Sequence, residues 1–438
     1  MILYGGTIYD SSEQDKLLDV IEPYINRTLA QKTLPVEKVI AAIDCLGKEI
    51  AEGRFDACLE SVQTDSPQRY KLLAAQMLSR ANLEFKLKTE LAGLQEHSRT
   101  APPNGMPPIL VKTMPLGVIF HIAAGNIDGL PAFSLAEGLL TGNVNILKLP
   151  QADSGLSLQI ISRLIALEPE LEDYIFVFDT PSNDIRAMTR MAQLADGISV
   201  WGGDAAVHAV RSLAPAGVKL MEWGHKLSFC YLSDNDFSSG NFIDNLELTA
   251  LAEHIAATRQ LLCSSCQTIF IDTDDVSVLH RFCKGFLPIL EKASAKHCAE
   301  SPDERAYLTL LRHTEYLEDM LGHTPNPNTE YRGNGCRLII CPDDALECSP
   351  MLCSVLVKRL PRDRIVPVLR QKKGYLQTAG LICAQQNRDA LTQLLARCGV
   401  TRITSAGNMS AYFSGESHDG EYPLRRYVRT VNVEINDA

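Results

Sequence analysis

A cysteine among small polar residues, a glutamate closing an apolar run and an asparagine in a glycine-bearing loop are the side chains here best suited to carbonyl chemistry. The cysteine is Cys263 in RQLLCSSCQ, the glutamate is Glu222 in LMEWGHK, 41 residues earlier, and the asparagine is Asn126 in HIAAGN. A thiolate that attacks a carbonyl needs partial exposure and hydrogen-bond donors where negative charge develops on oxygen. A nearby carboxylate can then manage protons or water. The set therefore suits a site that handles thioesters. Each residue alone is weak evidence, because cysteine is among the most buried residue types and the chain has 13 of them. Their order within a repeating strand and helix pattern is the stronger signal.

That pattern begins at Pro115. LGVIFHIA, NVNILKL, DYIFVFD, ISVWG and VKLME are apolar runs without alternation, as strands covered on both faces should be. The segments between them are long enough for crossover helices, which predicts an open, doubly wound parallel sheet. Ligands in such sheets bind beyond the carboxyl ends of the strands. Asn126, Lys148, Gly202, Gly203 and Glu222 all fall at or just past those ends. From about Phe229 a second α/β unit follows, with QTIFID, RLIIC, SVLVKRL, GLICA and VTRITS as its strands and Cys263 just before the first. A cleft between two such units is where a cofactor and a substrate can meet. The first hundred residues show apolar residues at three and four spacing and read as helices, broken at SRTAPPNGMPP. In the tail, Val431, Val433 and Ile435 alternate with polar residues, as in a strand with one wet face. It either closes a sheet within the chain or adds to another subunit's edge.

Composition narrows the class. The chain has 438 residues, 45% of them hydrophobic and 22% charged, enough for a large core and two or three domains. A net charge of −11 with no basic stripe argues against nucleic acid as a partner. The chain starts without signal-peptide features, and no apolar run reaches about 18 residues, so no membrane span is expected. The cysteines are scattered rather than framed, as in a reducing compartment, and a cytoplasmic location is expected. Cys263 and Cys266 make the one close pair, with no second CxxC to complete a zinc site, so no metal is expected.

The stretch PLGVIFHIAAGNIDGLPAFSLAEGLLTGNVNILKLPQADS, followed by WGGDAAV, EWGHK and the Cys263 segment, resembles the aldehyde dehydrogenase superfamily. Within it, HIAAGN, the CSS at the nucleophile and the closing HDGEYPLRRYVRTV are most similar to the fatty acyl-CoA reductases of bacterial bioluminescence. The resemblance implies an α/β, aldehyde dehydrogenase-like fold: two doubly wound α/β domains, a helical N-terminal layer and a small β oligomerisation element. The expected boundaries are residues 1–97 for the helical layer, 98–114 for a bridging segment, 115–228 for the nicotinamide-binding domain, 229–410 for the catalytic domain and 411–438 for a C-terminal bridging strand. It also implies Cys263 as nucleophile, Glu222 as general base and Asn126 as oxyanion donor with the Cys263 backbone N–H. Lys148 would meet the adenosine ribose, Gly202 and Gly203 the pyrophosphate, Trp201 a cofactor-side wall or the core, and Glu347 the nicotinamide ribose.

The implied reaction is NADPH-dependent reduction of a fatty acyl-CoA to the aldehyde through an acyl-enzyme, by a homo-oligomer. Gln151 stands where NAD-linked relatives carry a glutamate, which removes repulsion against a 2′-phosphate and favours NADPH, with NADH allowed. His225 replaces a glycine of the pattern; a phosphate-binding role, an acyl-channel role and plain packing stay open for it. Three other readings share these residues. They are an NAD(P)-dependent aldehyde dehydrogenase, a reductase of acyl-carrier-protein thioesters, and a redox module with a Cys263–Cys266 disulfide.

Overall fold

The computed structural model describes residues 1–59, 67–92, 98–100, 107–123, 129–151, 153–233, 245–297, 301–321 and 328–435. Two compact units share the chain. The first holds Met1–Gly224 and Phe413–Ala438, the second His225–Tyr412.

The first unit is built on a seven-stranded sheet in the order Thr7–Tyr9, Ile2–Tyr4, Ile175–Phe178, Val144–Lys148, Val118–Ile122, Gly197–Trp201, Lys219–Trp223. The last five strands are parallel and correspond to the five apolar runs of the sequence. Their inward residues are almost fully buried, Ile119, Phe120, Ile146, Val177 and Ile198 among them. The chain order reverses beside Val118–Ile122, whose neighbours are Val144–Lys148 on one side and Gly197–Trp201 on the other. Such a switch point leaves a crevice at the carboxyl ends. The register pairs Ile122 with Lys148 and Trp201 with Trp223, so these residues share that edge.

The N-terminal hundred residues are not all helical. Ile2–Tyr4 and Thr7–Tyr9 form a hairpin around Gly5 and Gly6, both with positive φ, and the hairpin extends the sheet antiparallel at Ile175–Phe178. Two left-handed glycines give the turn whose twist matches a two-residue hairpin. The helices Gln14–Gln31, Val36–Ala51 and Arg80–Glu90 follow and bury Ile21, Ile25, Ile40, Ile43 and Leu83 in the same core. Lys86 of the last of these bridges Glu90 and Glu137, all three nearly without exposure.

The bridging segment is also more regular than expected, since Ile109–Pro115 is a strand. It lies between Ser98–Thr100 and the C-terminal strand Val428–Glu434 in a three-stranded antiparallel sheet. Asn143 fastens this region: its amide accepts from Gly117 N–H at 2.8 Å and donates to the Tyr427 carbonyl at 3.0 Å. That is the structural use of the Thr-Gly-Asn sequence.

The second unit carries another seven-stranded sheet, in the order Thr329–Gly333, Cys336–Ile340, Ser354–Arg359, Cys266–Ile271, Leu227–Leu232, Leu376–Ile382, Arg402–Thr404. All but the first are parallel. Phe229, Phe270, Phe282, Phe286 and Leu290 are fully buried on its two faces.

Candidate active site

Cys263 lies in the turn between the helix Leu246–Thr258 and the strand Cys266–Ile271. It is exposed, and several neighbours fix it. Its carbonyl accepts from Ser228 Oγ at 2.7 Å, and that serine hydroxyl in turn accepts from Thr378 N–H at 3.1 Å. Gln377 Nε2 donates to Cys263 Sγ at 3.4 Å. Ser264 and Ser410 hydroxyls meet at 2.8 Å. An amide donor on sulfur favours the anionic form that a nucleophile needs. Ser228 and Gln377 escape sequence reasoning. Their one signal is a polar residue interrupting an otherwise apolar strand, in KLSFCYL and GYLQTAGLI.

The backbone around this turn is unusual. Six non-glycine residues have positive φ among the described residues, and five of them gather here: Arg259, Gln260, Met351, Leu352 and Cys353. Each such residue costs on the order of 1 kcal/mol relative to a right-handed conformation. The two left-handed stretches are joined by Leu352 N–H donating to the Arg259 carbonyl at 2.9 Å. Gln260 and Gln267 cross-brace them. Gln260 Nε2 donates to the Cys266 carbonyl at 2.8 Å, Gln267 Nε2 donates to the Gln260 carbonyl at 2.9 Å, and Ser349 Oγ donates to Gln267 Oε1 at 2.8 Å.

Cys266 is a packing residue. It is fully buried, and burial pushes its thiol up to about 12. Neither Cys263 nor Cys266 is joined in a disulfide. Cys266 N–H donates to His254 Nε2 at 3.4 Å, and burial, aided by the Arg402 charge, lowers that imidazole to about 4, so it accepts as the neutral ring.

Glu222 stands near the end of Lys219–Trp223, where both carboxylate oxygens accept from Arg211, at 2.5 and 2.6 Å. The expected general base is thus held in a two-pronged ion pair. Asn126 lies outside the described residues.

Lys148 ends its strand with 3% exposure, and its ammonium donates to Ser182 Oγ at 2.8 Å. No carboxylate pairs with it among the described residues, and burial holds it below the ordinary lysine value. Gln151 is exposed in the following turn. Gly203 is the N-cap of the helix Asp204–Leu213, with open space where a Cβ would point, whereas a Cβ on Gly202 would meet Ala206 at 2.9 Å. Trp201 stacks on Trp223 with ring centres 5.4 Å apart, donates from Nε1 to Ser134 Oγ at 3.1 Å, and meets the His418 ring. With these partners it is half-buried. A buried cation with no carboxylate partner among those residues and an open glycine N-cap, both at the carboxyl edge of the sheet, are groups that could hold the ribose and phosphates of a dinucleotide.

Glu347 accepts from Lys358, a fully buried lysine that also bonds Asp343 at 2.7 Å and the Ala345 carbonyl at 2.9 Å. Its side chain keeps 50% exposure. Cys341, Asp343 and Glu347 offer ligand atoms within 4.8 Å of one another, but the Lys358 ammonium pairs with both carboxylates and supplies the cation. His225 is exposed, with Nε2 at 3.4 Å from Cys348 Sγ and its ring beside Tyr375. No helix of the described residues is long and apolar enough to cross a membrane.

A family model described as Acyl-CoA reductase (LuxC) matches residues 31–430. The chain belongs to the acyl-CoA reductase (LuxC) family. It is 26% identical over 337 residues to the long-chain acyl-protein thioester reductase of Aliivibrio fischeri, covering 74% of this chain and 65% of that protein. With the Vibrio harveyi protein of the same description it shares 24% identity over 385 residues, 84% of this chain and 75% of the other. The match thus spans 65%, just under two thirds, of the length of the Aliivibrio fischeri relative. Among solved structures, an NADP-dependent glyceraldehyde-3-phosphate dehydrogenase from Bacillus halodurans complexed with NADP superposes with a TM-score of 0.75 at 16% identity, covering 100% of this chain and 99% of that one. Lactaldehyde dehydrogenase from Escherichia coli superposes at 0.67 with 14% identity, over 97% and 91% of the two chains. The LuxC-family chain therefore has the aldehyde dehydrogenase fold expected from its motifs.

Proposed function

We propose that this LuxC-family protein reduces a long-chain acyl thioester to the aldehyde through an acyl-enzyme on Cys263, with NADPH as the reductant. The observation that carries the reading is the exposed Cys263 sulfur receiving the Gln377 amide, in a turn whose carbonyl is pinned by Ser228. The sulfur attacks the thioester carbonyl, the bond from carbonyl carbon to carrier sulfur breaks, and the carrier leaves as a thiolate. The Cys263 backbone N–H and the Asn126 amide hold the oxyanion. Lys148, Gly202, Gly203 and Trp201 bind the cofactor, with Gln151 toward a 2′-phosphate and Glu347 toward the nicotinamide ribose. When bound, the reduced nicotinamide supplies hydride to the acyl carbon. Departure of the Cys263 sulfur then releases the aldehyde and restores the thiolate. The small three-stranded sheet is the element through which copies associate, and the 115–228 and 229–410 segments divide the work between cofactor and nucleophile.

Relatives described as acyl-protein thioester reductases favour a protein-bound acyl donor beside acyl-CoA. The test is to supply matched long-chain acyl-CoA and acyl-protein thioesters with NADPH or NADH, follow nicotinamide absorbance and trap aldehyde. Aldehyde formed in step with NADPH loss supports the reading. Turnover confined to aldehyde plus NADP⁺, ending in the acid, assigns the protein to aldehyde oxidation instead.

Glu222 has a smaller part in this scheme, since thioester reduction needs no activated water and Arg211 already holds its carboxylate. Glu222→Gln is expected to keep thioester reduction within about threefold of wild type while any hydrolysis of the acyl-enzyme to acid falls about a hundredfold, the scale of a lost general base. Parallel assays of aldehyde and acid check this. A collapse of both branches would give Glu222 a direct part in acyl transfer.

A further inference from the structure

Five of the six described non-glycine residues with positive φ meet beside the nucleophile, and three of them are consecutive: Met351, Leu352 and Cys353, with φ of 63°, 50° and 60°. Strain of this kind persists only where the surroundings over-determine it, and it clusters where geometry must be held for function. Here the surroundings are identifiable. The segment Glu347–Ser354 is tied at its start by Lys358 to Glu347, then by Ser349 to Gln267, and at its end by Arg337 N–H donating to the Cys353 carbonyl at 3.0 Å. Its backbone is bonded to the nucleophile turn through Leu352 N–H, which donates to the Arg259 carbonyl at 2.9 Å. Arg259 and Gln260 are themselves left-handed, at 49° and 62°, and lead directly to Leu261, Leu262 and Cys263. Gln267 reaches both sides, accepting from Ser349 and donating to the Gln260 carbonyl.

We infer that the segment Ser349–Cys353 is a strained template that positions Cys263 for attack, with Ser349 and Gln267 as positioning residues. The inference rests on Cys263 being the acyl acceptor. The template holds the turn 259–263 open before substrate arrives, and the cost of its left-handed residues is the cost of that preorganisation. Met351 is 39% exposed, so little packing is tied to its side chain. Glycine adopts its conformation without strain.

Two variants separate positioning from stability. Met351→Gly relieves strain and is expected to raise Tm by about 2 °C, yet slow single-turnover acylation of Cys263 by a long-chain acyl-CoA about tenfold, because the template is loosened. Ser349→Ala removes the hydroxyl that braces Gln267 and is expected to lower Tm while slowing acylation to a similar extent; Ser349→Thr, which keeps a hydroxyl, should restore most of the rate. Acylation is read by mass without cofactor present. Opposite movements of Tm with the same loss of rate support the template. Wild-type acylation rates in a folded Met351→Gly protein overturn it, as does an acylation rate in that variant that rises with its Tm. If the wild-type chain itself gains no acyl group on Cys263, it is the proposed function that fails, and the two failures are told apart.

Discussion

Replacing Cys263 with alanine should remove reduction of acyl thioesters by more than about a thousandfold, the scale seen when a covalent nucleophile is lost. NADPH affinity should stay within about twofold, because the proposed cofactor residues Lys148, Gly202 and Gly203 belong to the first unit and Cys263 to the second. The sulfur is exposed and the substitution removes no buried volume, so Tm should change little. Steady-state turnover beside NADPH titration by tryptophan fluorescence reads both arms. The chain's two tryptophans, Trp201 and Trp223, stack at the edge where the cofactor is expected. Retained turnover in Cys263→Ala would reject covalent catalysis at this position. Cys348, the other exposed thiol among the described cysteines, would then need the same test.

The second large effect concerns Lys148. Its ammonium is buried at a strand end with a serine hydroxyl and no carboxylate among the described residues, which is costly without an anionic ligand. Lys148→Met should therefore stabilise the free protein at neutral pH and weaken NADPH binding about a hundredfold, or roughly 2.7 kcal/mol. The pH dependence has a definite sign. Burial depresses the folded-state value of Lys148, so between that value and the unfolded value the unfolded chain binds more protons. Wild-type stability should then gain as pH climbs from the depressed value toward the unfolded lysine range, with the penalty fully present below it. The methionine variant should lack this alkaline gain. Thermal melts at neutral and alkaline pH, with and without NADPH, check both statements; unchanged NADPH affinity would move the cofactor elsewhere.

The parallel sheet around Val118–Ile122 was legible because its strands are buried on both faces and read as unbroken apolar runs. The helix Asp204–Leu213 and its glycine N-cap were legible for a similar local reason, since capping and period are written in adjacent residues. The hairpin Ile2–Tyr9 was overlooked although its Gly5-Gly6 turn is a local signal, because strands of three residues carry too little periodicity to compete with the helices that follow. Ile109–Pro115 was hidden for another reason: its partner Val428–Glu434 lies at the far end of the chain, and pairing at such separation leaves no local trace.

The site divides along the same line. Cys263, Glu222 and Lys148 announce themselves by residue type and by position at strand ends. Gln377 and Ser228 bond Cys263 from remote strands, so only the fold brings them to it. The Arg211–Glu222 pair was equally invisible, and it changes the expected weight of the glutamate more than any motif could. Left-handed backbone at Met351 and Leu352 has no sequence signature, since neither residue type favours it.

Peptide mapping of the covalent intermediate tests the central claim most directly. After incubation with a long-chain acyl thioester and no cofactor, the peptide carrying Cys263 should gain the mass of one acyl group, and NADPH should discharge it as aldehyde. An acyl group that maps to another residue, or a chain that turns over without ever carrying one, would contradict the account.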